Sequence, residues 1–148
     1  DKVLSHVNSR LHEKILDWPV TGVYGVINKY TKNFFYSSAG HPPIILYRDA
    51  TKKTEELPQH GRLMGPFEEI NAKVEKVVLH KGDRMLIISD GFFEAINQQT
   101  EMYGMERLRK CFERNDFGSI NDLISDVKEF SEGAEQSDDM AALLIKVN

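Results

Sequence analysis

The hydrophobic period of this chain changes three times, and that succession constrains the fold more than any single residue does. Leu4, Val7, Leu11 and Ile15 recur at helical spacing, so residues 1–17 are predicted as an amphipathic helix. Pro19 ends it, because proline disfavours helical geometry in the residue before it, here Trp18. From Val20 the pattern shortens to β-rich runs over residues 20–27, 33–38 and 44–48, divided by turn material such as Asn28-Lys29 and His41-Pro42-Pro43. These runs are predicted as a meander of antiparallel strands. Residues 50–71 are polar and hold Pro58, Gly61, Gly65 and Pro66, which predicts a loop with one short strand at 54–57. Residues 73–79 and 84–89 are strand-like again. The His80-Lys81-Gly82-Asp83 joint between them is a hairpin signal, with Gly82 able to take positive φ.

Helical spacing returns at Met105, Leu108 and Phe112, and Gly118 is the predicted stop of that helix. Ser119 with Asp122 three residues later is an N-cap arrangement for a second helix, whose stripe is Ile120, Leu123, Ile124, Val127 and Phe130. Residues 140–147 close the chain as a nearly continuous apolar run, suited to a strand buried on both faces. A meander alone would leave a sheet face bare, so the helices must cover it, and the fold class is α+β with layered antiparallel sheets.

Composition removes several function classes. Net charge is −4 with only short, interrupted basic clusters at Lys52-Lys53 and residues 107–110, which argues against a nucleic-acid partner. No run approaches the roughly 18 apolar residues of a membrane span, so membrane insertion is not expected. Asp1-Lys2-Val3-Leu4 reads as the start of a helix rather than as a secretory signal. The one cysteine, Cys111, lies within an amphipathic helical pattern, which predicts packing rather than nucleophilic chemistry and suits a reducing cytoplasm.

Two acidic positions adjoin the most apolar runs. Asp90-Gly91 follows residues 85–89, and Asp138-Asp139 precedes the final strand. Carboxylates at strand ends can be held rigidly at a cleft, and hard cations such as Mg²⁺ or Mn²⁺ choose oxygen ligands of this kind. An Asp-Gly pair after a strand also makes an ordinary turn, and an acid before a strand an ordinary loop. On spacing alone both readings stand.

Six segments in order weigh against the turn reading. Ser38-Ala39-Gly40-His41-Pro42-Pro43 resembles an Asn-Ala-Gly-His-x-Pro stretch, and Gly61-Arg62-Leu63-Met64-Gly65 a Gly-x-Pro-Leu-Gly loop. Residues 81–91 match a Gly-Asp strand ending in Ser/Thr-Asp-Gly. Glu94, Ala95 and Asn97 continue as in Val-x-Glu-Ala-x-Asn. Tyr103-Gly104-Met105-Glu106-Arg107-Leu108 is similar to Phe-Gly-x-Glu-Arg-Leu, and Asp138-Asp139-Met140 to a closing Asp-Asp-x-Thr with Ala141 in place of the threonine. Together they cover nearly the whole chain and resemble the metal-dependent protein phosphatase family, type 2C in the broad sense (PPM), in its bacterial SpoIIE- and RsbU-like serine phosphatase branch.

The resemblance implies a PPM-type β-sandwich and two divalent cations, Mn²⁺ or Mg²⁺, that lower the pKa of bound water so that hydroxide attacks phosphoserine or phosphothreonine directly. Carried over by position, Asp90 and Asp138 would be ligands of one metal, and Gly91 would keep backbone close to it. Asp139 falls where the wider family has asparagine, and by resemblance it is a candidate, with Gly91, to support the ligands without binding the metal itself. His41 is the one candidate acid; its alternative is a turn histidine whose ring bonds locally, so no catalytic residue is assigned beyond it. His6, His12, His60 and His80 have no ligand spacing. The implied substrate is a phosphorylated bacterial signalling protein of the anti-sigma-factor antagonist kind.

The family's early Gly-Asp-x-x-Gly-His-Gly type segment, source of a metal-bridging aspartate, does not occur in these 148 residues. The expectation is therefore the C-terminal, larger part of a single domain spanning residues 1–148, with one weak metal site or none and little turnover. A catalytically inactive phosphoprotein-binding domain of the same fold is the alternative. Absent early strands would leave sheet edges open, and open edges are templates for self-association.

Overall fold

In the computed structural model, which describes residues 1–15, 18–136 and 138–148, the β-rich runs pair into two antiparallel sheets held in separate units. In chain order the elements are α1 (Lys2–Leu11), β1 (Gly22–Ile27), β2 (Asn33–Ala39), β3 (Ile45–Arg48), β4 (Lys53–Glu56), β5 (Glu75–Val78), β6 (Arg84–Ile88), a 3-10 turn (Asp90–Phe92), α2 (Gly104–Glu113), α3 (Ile120–Phe130) and β7 (Ala142–Lys146). One unit comprises Asp1–Pro43 with Pro58–His80, the other Ile44–Leu57 with Lys81–Asn148.

The first unit holds the sheet β1-β2-β5. Asn28 closes the β1–β2 hairpin: its side-chain oxygen accepts from the backbone N–H of Tyr30 (2.9 Å) and Thr31 (3.0 Å), the Asx turn that competes successfully with continued strand. Helix α1 buries Leu4 against Ala39, Met64 and Ile70. It also buries Asn8, a polar residue in the middle of a helix, and every side-chain group of Asn8 is paired. Its amide donates to the carbonyls of Phe67 (2.9 Å) and Glu68 (3.0 Å), and its oxygen accepts from Gly65 N–H (2.9 Å). Helix α1 stops earlier than its apolar spacing predicts. His12 leaves helical geometry at ψ 136°, Glu13 takes φ 62°, and the His12 ring bonds Gly65 O at 3.0 Å. Leu16 and Asp17, the end of the predicted helix, lie outside the described residues.

The second unit holds the sheet β4-β3-β6-β7 with α2 and α3 packed on one face. Ile45, Leu86 and Leu144 share a row of the register and face the helices, where Phe92, Leu108, Phe112, Leu123 and Val127 complete the core. Cys111 is part of that core, and burial pushes its thiol up to about 11, which fits packing and not nucleophilic chemistry. The class is α+β, as the hydrophobic pattern predicts.

Three further local expectations fail for identifiable reasons. The joint at residues 80–83 is not a hairpin: β5 pairs with β2 in one sheet, whereas β6 pairs with β3 and β7 in the other. Gly82 does take φ 90°, beside the Asp49 side chain, so the turn chemistry is real but redirects the chain between sheets. Helix α2 ends at Glu113, before Gly118. Its end does not need a glycine cap: the Arg84 guanidinium donates to Phe112 O (3.0 Å) in the last turn and to Phe117 O (2.7 Å) in the loop beyond, while stacking 4.0 Å over the Tyr47 ring. Strand β7 is not buried on both faces. It ends the sheet order, and Leu143, on the face away from the helices, is 53% exposed.

The N-terminus of α3 is as predicted. One Asp122 carboxylate oxygen accepts from the backbone N–H of both Gly118 and Ser119 at 2.7 Å. The Ser119 N–H first, and the Gly118 N–H with it, hold this carboxyl below its ordinary value. A depressed folded-state pKa stabilises fully above the unfolded value, about 3.9 for aspartate, and is lost as pH falls through the lower folded value. Acid titration of thermal unfolding is therefore expected to show a loss in that window that Asp122→Asn reduces. Identical acid profiles for the two proteins would remove the cap from the account.

Candidate metal site

Antiparallel pairing of β6 with β7, in the register Ile88 to Ala142, brings the C-terminal end of one strand against the N-terminal end of the other. The two acidic segments are thereby neighbours although far apart in sequence. The ladder continues past both strands, with Ser89 N–H donating to Ala141 O at 2.9 Å. The Ser89 hydroxyl then accepts from Ala141 N–H (2.9 Å) and donates to Asp139 O (3.0 Å). Asp90 opens the 3-10 turn, its carbonyl accepting from Phe93 N–H (3.0 Å) and Glu94 N–H (2.9 Å). On the facing segment, the Gln136 amide donates to Asp138 O at 2.7 Å.

Gly91 sits where these segments press together. A Cβ at this position would lie 2.5 Å from Asp139 O, closer than real Cβ atoms come, and 3.4 Å from Asp138 O, an ordinary contact. Its φ is not in the left-handed region, so glycine is required here for space and not for backbone conformation.

Asp90 and Asp138 are both exposed, and each spends one carboxylate oxygen on the next backbone N–H: Asp90 on Gly91 (3.1 Å) and Asp138 on Asp139 (2.7 Å). Neither forms an ion pair with a described cation. Two exposed carboxylates with oxygen lone pairs left over, on the segments flanking the β6–β7 pairing and beside a backbone that a side chain would fill, suit a hard divalent cation. Among the described residues no group of three or more His, Cys, Asp or Glu side chains is placed to hold a metal. Asp139 enters the arrangement through its backbone carbonyl, which the Ser89 hydroxyl holds. The side chain that Ala141 lacks is not needed to tie its backbone, since its N–H already bonds Ser89 Oγ. Ser89 is the member of the site that residue typing misses; its only signal is its place before Asp90-Gly91.

His41 belongs to the other unit, and its Nδ1 donates to the Pro42 carbonyl at 2.9 Å, the local bond of a turn histidine. The motif segments around it are structural partners. Gly40 N–H donates to Gly61 O at 3.1 Å, and a Cβ on Gly61 would lie 2.5 Å from Ser38 O. In the second unit Tyr103 N–H donates to Ala95 O at 2.8 Å, and the Asn97 side chain accepts from Gln99 and Glu101 N–H. These motif residues build the turn that leads from the site into α2.

Gly91→Ala is expected to force the Asp138-Asp139 segment away from the 3-10 turn and to destabilise the protein by about 2 kcal/mol, the cost of overpacking a tight contact. Urea unfolding and amide exchange at Ala141 measure both effects; parent-like values would mean that the close approach is not maintained in solution.

The family model of Stage II sporulation protein E (SpoIIE) matches residues 1–148. The phosphoserine phosphatase RsbU of Bacillus subtilis (strain 168) is 28% identical over 130 residues, covering 85% of this chain and 38% of that protein. Among solved structures, the SiaA-PP2C domain of Pseudomonas aeruginosa superposes with TM-score 0.81 at 15% identity, over 99% of this chain and 59% of that one. The Mn-presoaked phosphatase domain of SpoIIE from Bacillus subtilis gives TM-score 0.70 at 21% identity, over 99% and 63%. The chain thus spans well under half the length of RsbU. With every residue matched by one family model and the PP2C-type phosphatase fold shared, the chain belongs to the SpoIIE family.

Proposed function

We propose that this chain is the carboxylate-bearing part of a metal-dependent protein serine/threonine phosphatase. The reading is carried by Gly91, whose missing side chain lets Asp90 and Asp138-Asp139 meet at adjoining strand ends in a SpoIIE-family chain. Asp90 and Asp138 bind one Mn²⁺ or Mg²⁺, and Asp139 supports them from behind. When bound, the cation supplies the charge that stabilises hydroxide near neutral pH and offsets the phosphoryl oxygens. The chain's own contribution is to present two exposed carboxylates on segments that the Ser89 hydroxyl ties together. The substrate is phosphoserine or phosphothreonine on a bacterial signalling protein of the anti-sigma-factor antagonist type, met in the cytoplasm. Self-association through open sheet edges belongs to the same reading, and gel filtration across a concentration series tests it.

Two carboxylates leave most positions of such a cation to water or to other ligands, so the chain by itself binds the ion weakly and turns over slowly. The ligand count also favours a second reading, a domain of the same fold that binds a phosphoprotein without hydrolysing it. Mn²⁺-dependent hydrolysis of p-nitrophenyl phosphate separates the two. A low rate that Asp90→Asn and Asp138→Asn each reduce by at least about 10-fold supports the phosphatase reading. A rate that these substitutions leave unchanged sinks the assigned ligands. No hydrolysis together with saturable binding of a phosphoserine peptide favours the second reading.

A further inference from the structure

We infer that Ser89 is a positioning residue for the metal carboxylates, setting cation affinity through its hydroxyl without touching the ion. The inference rests on the metal reading of Asp90 and Asp138. Ser89 immediately precedes Asp90 at the end of β6, and its backbone is extended, at φ −74° and ψ 163°. Its hydroxyl is used as acceptor and donor together: Ala141 N–H bonds to it at 2.9 Å and it donates to Asp139 O at 3.0 Å. Both partners lie on the segment that carries Asp138, so one small side chain ties the two acidic segments at a point adjacent to each carboxylate.

Among the described residues no other side chain duplicates the tie, which adds to the backbone bond from Ser89 N–H to Ala141 O. Ala141 has no hydroxyl of its own, Gly91 contributes contact but no side-chain bond, and Gln136 holds the Asp138 carbonyl from within the same segment. Oxygen ligands bind a small divalent cation well only when their separation is held, and outer partners that hold them typically govern 10- to 100-fold in affinity. Serine and threonine both supply a hydroxyl with donor and acceptor capacity, and the extended backbone accommodates either; alanine supplies neither function.

The test is Mn²⁺ titration followed by electron paramagnetic resonance of the free ion, with hydrogen exchange at the Ala141 amide and thermal unfolding measured on the same proteins. Ser89→Ala is expected to bind Mn²⁺ about 10-fold more weakly and to exchange faster at Ala141, with Ser89→Thr restoring both. A general structural defect would lower the melting temperature of both variants and would not be rescued by threonine. Should Ser89→Ala not fold, Ser89→Cys, with its weakly accepting thiol, is measured against the same outcomes. Parent-like Mn²⁺ affinity in the hydroxyl-free variant, where Asp90→Asn loses the ion, overturns the role of Ser89 alone. Unchanged affinity in Asp90→Asn overturns the ligand reading and this inference with it.

Discussion

The antiparallel pairing of β6 with β7 is the constraint on which the second unit depends. Strand β6 is flanked by β3 on one side and β7 on the other, and its Leu86 and Ile88 form the floor on which α2 and α3 pack. The same pairing brings a strand end against a strand start, which is the only reason two acidic segments so distant in sequence are adjacent. Slipping β7 by one residue along β6 would turn Leu144 away from the helices and unmatch Ser89 from Ala141, so core and site are specified by a single alignment.

Cationic and polar side chains finish what the apolar rows begin. Arg84 lies at the start of β6, yet it caps carbonyls at the end of α2 and stacks over Tyr47, Phe112 and Phe117. Asp83, 2% exposed, is paired with Arg48 at 2.9 Å, which fixes the other edge of the same strand entry. In the first unit Asn8 plays the equivalent part, converting a helix into a clamp on residues 65–68. These groups satisfy backbone atoms that loops leave unpaired, which is why loops rich in glycine and proline can be held in one conformation beside a strand.

Local pattern was sufficient wherever the deciding interaction is itself local. The Asn28 turn, the strands at 33–39 and 53–56, the Ser119–Asp122 cap and the packing role of Cys111 all follow from residues within a few positions of one another. Where the deciding partner is distant, pattern misled. The early end of α1 depends on Gly65, the early end of α2 on Arg84, and the exposure of Leu143 on which strand stands at the sheet edge. The hairpin signal at Gly82 was sound as turn chemistry, but a turn does not say which edge the next strand will join.

The sequence by itself determined the α+β class, the identity of Asp90, Gly91, Asp138 and Asp139 as the residues of interest, and the family whose motifs they match. Periodicity and residue type carry that information because they record burial and donor chemistry one segment at a time. Only the tertiary structure decided that β5 and β6 separate into different sheets, that Gly91 is required for space rather than for φ, and that the hydroxyl tying the two acidic segments comes from Ser89. Each of those outcomes turns on a contact between segments far apart in the chain, and such a contact exists only once strand pairing has chosen its partners.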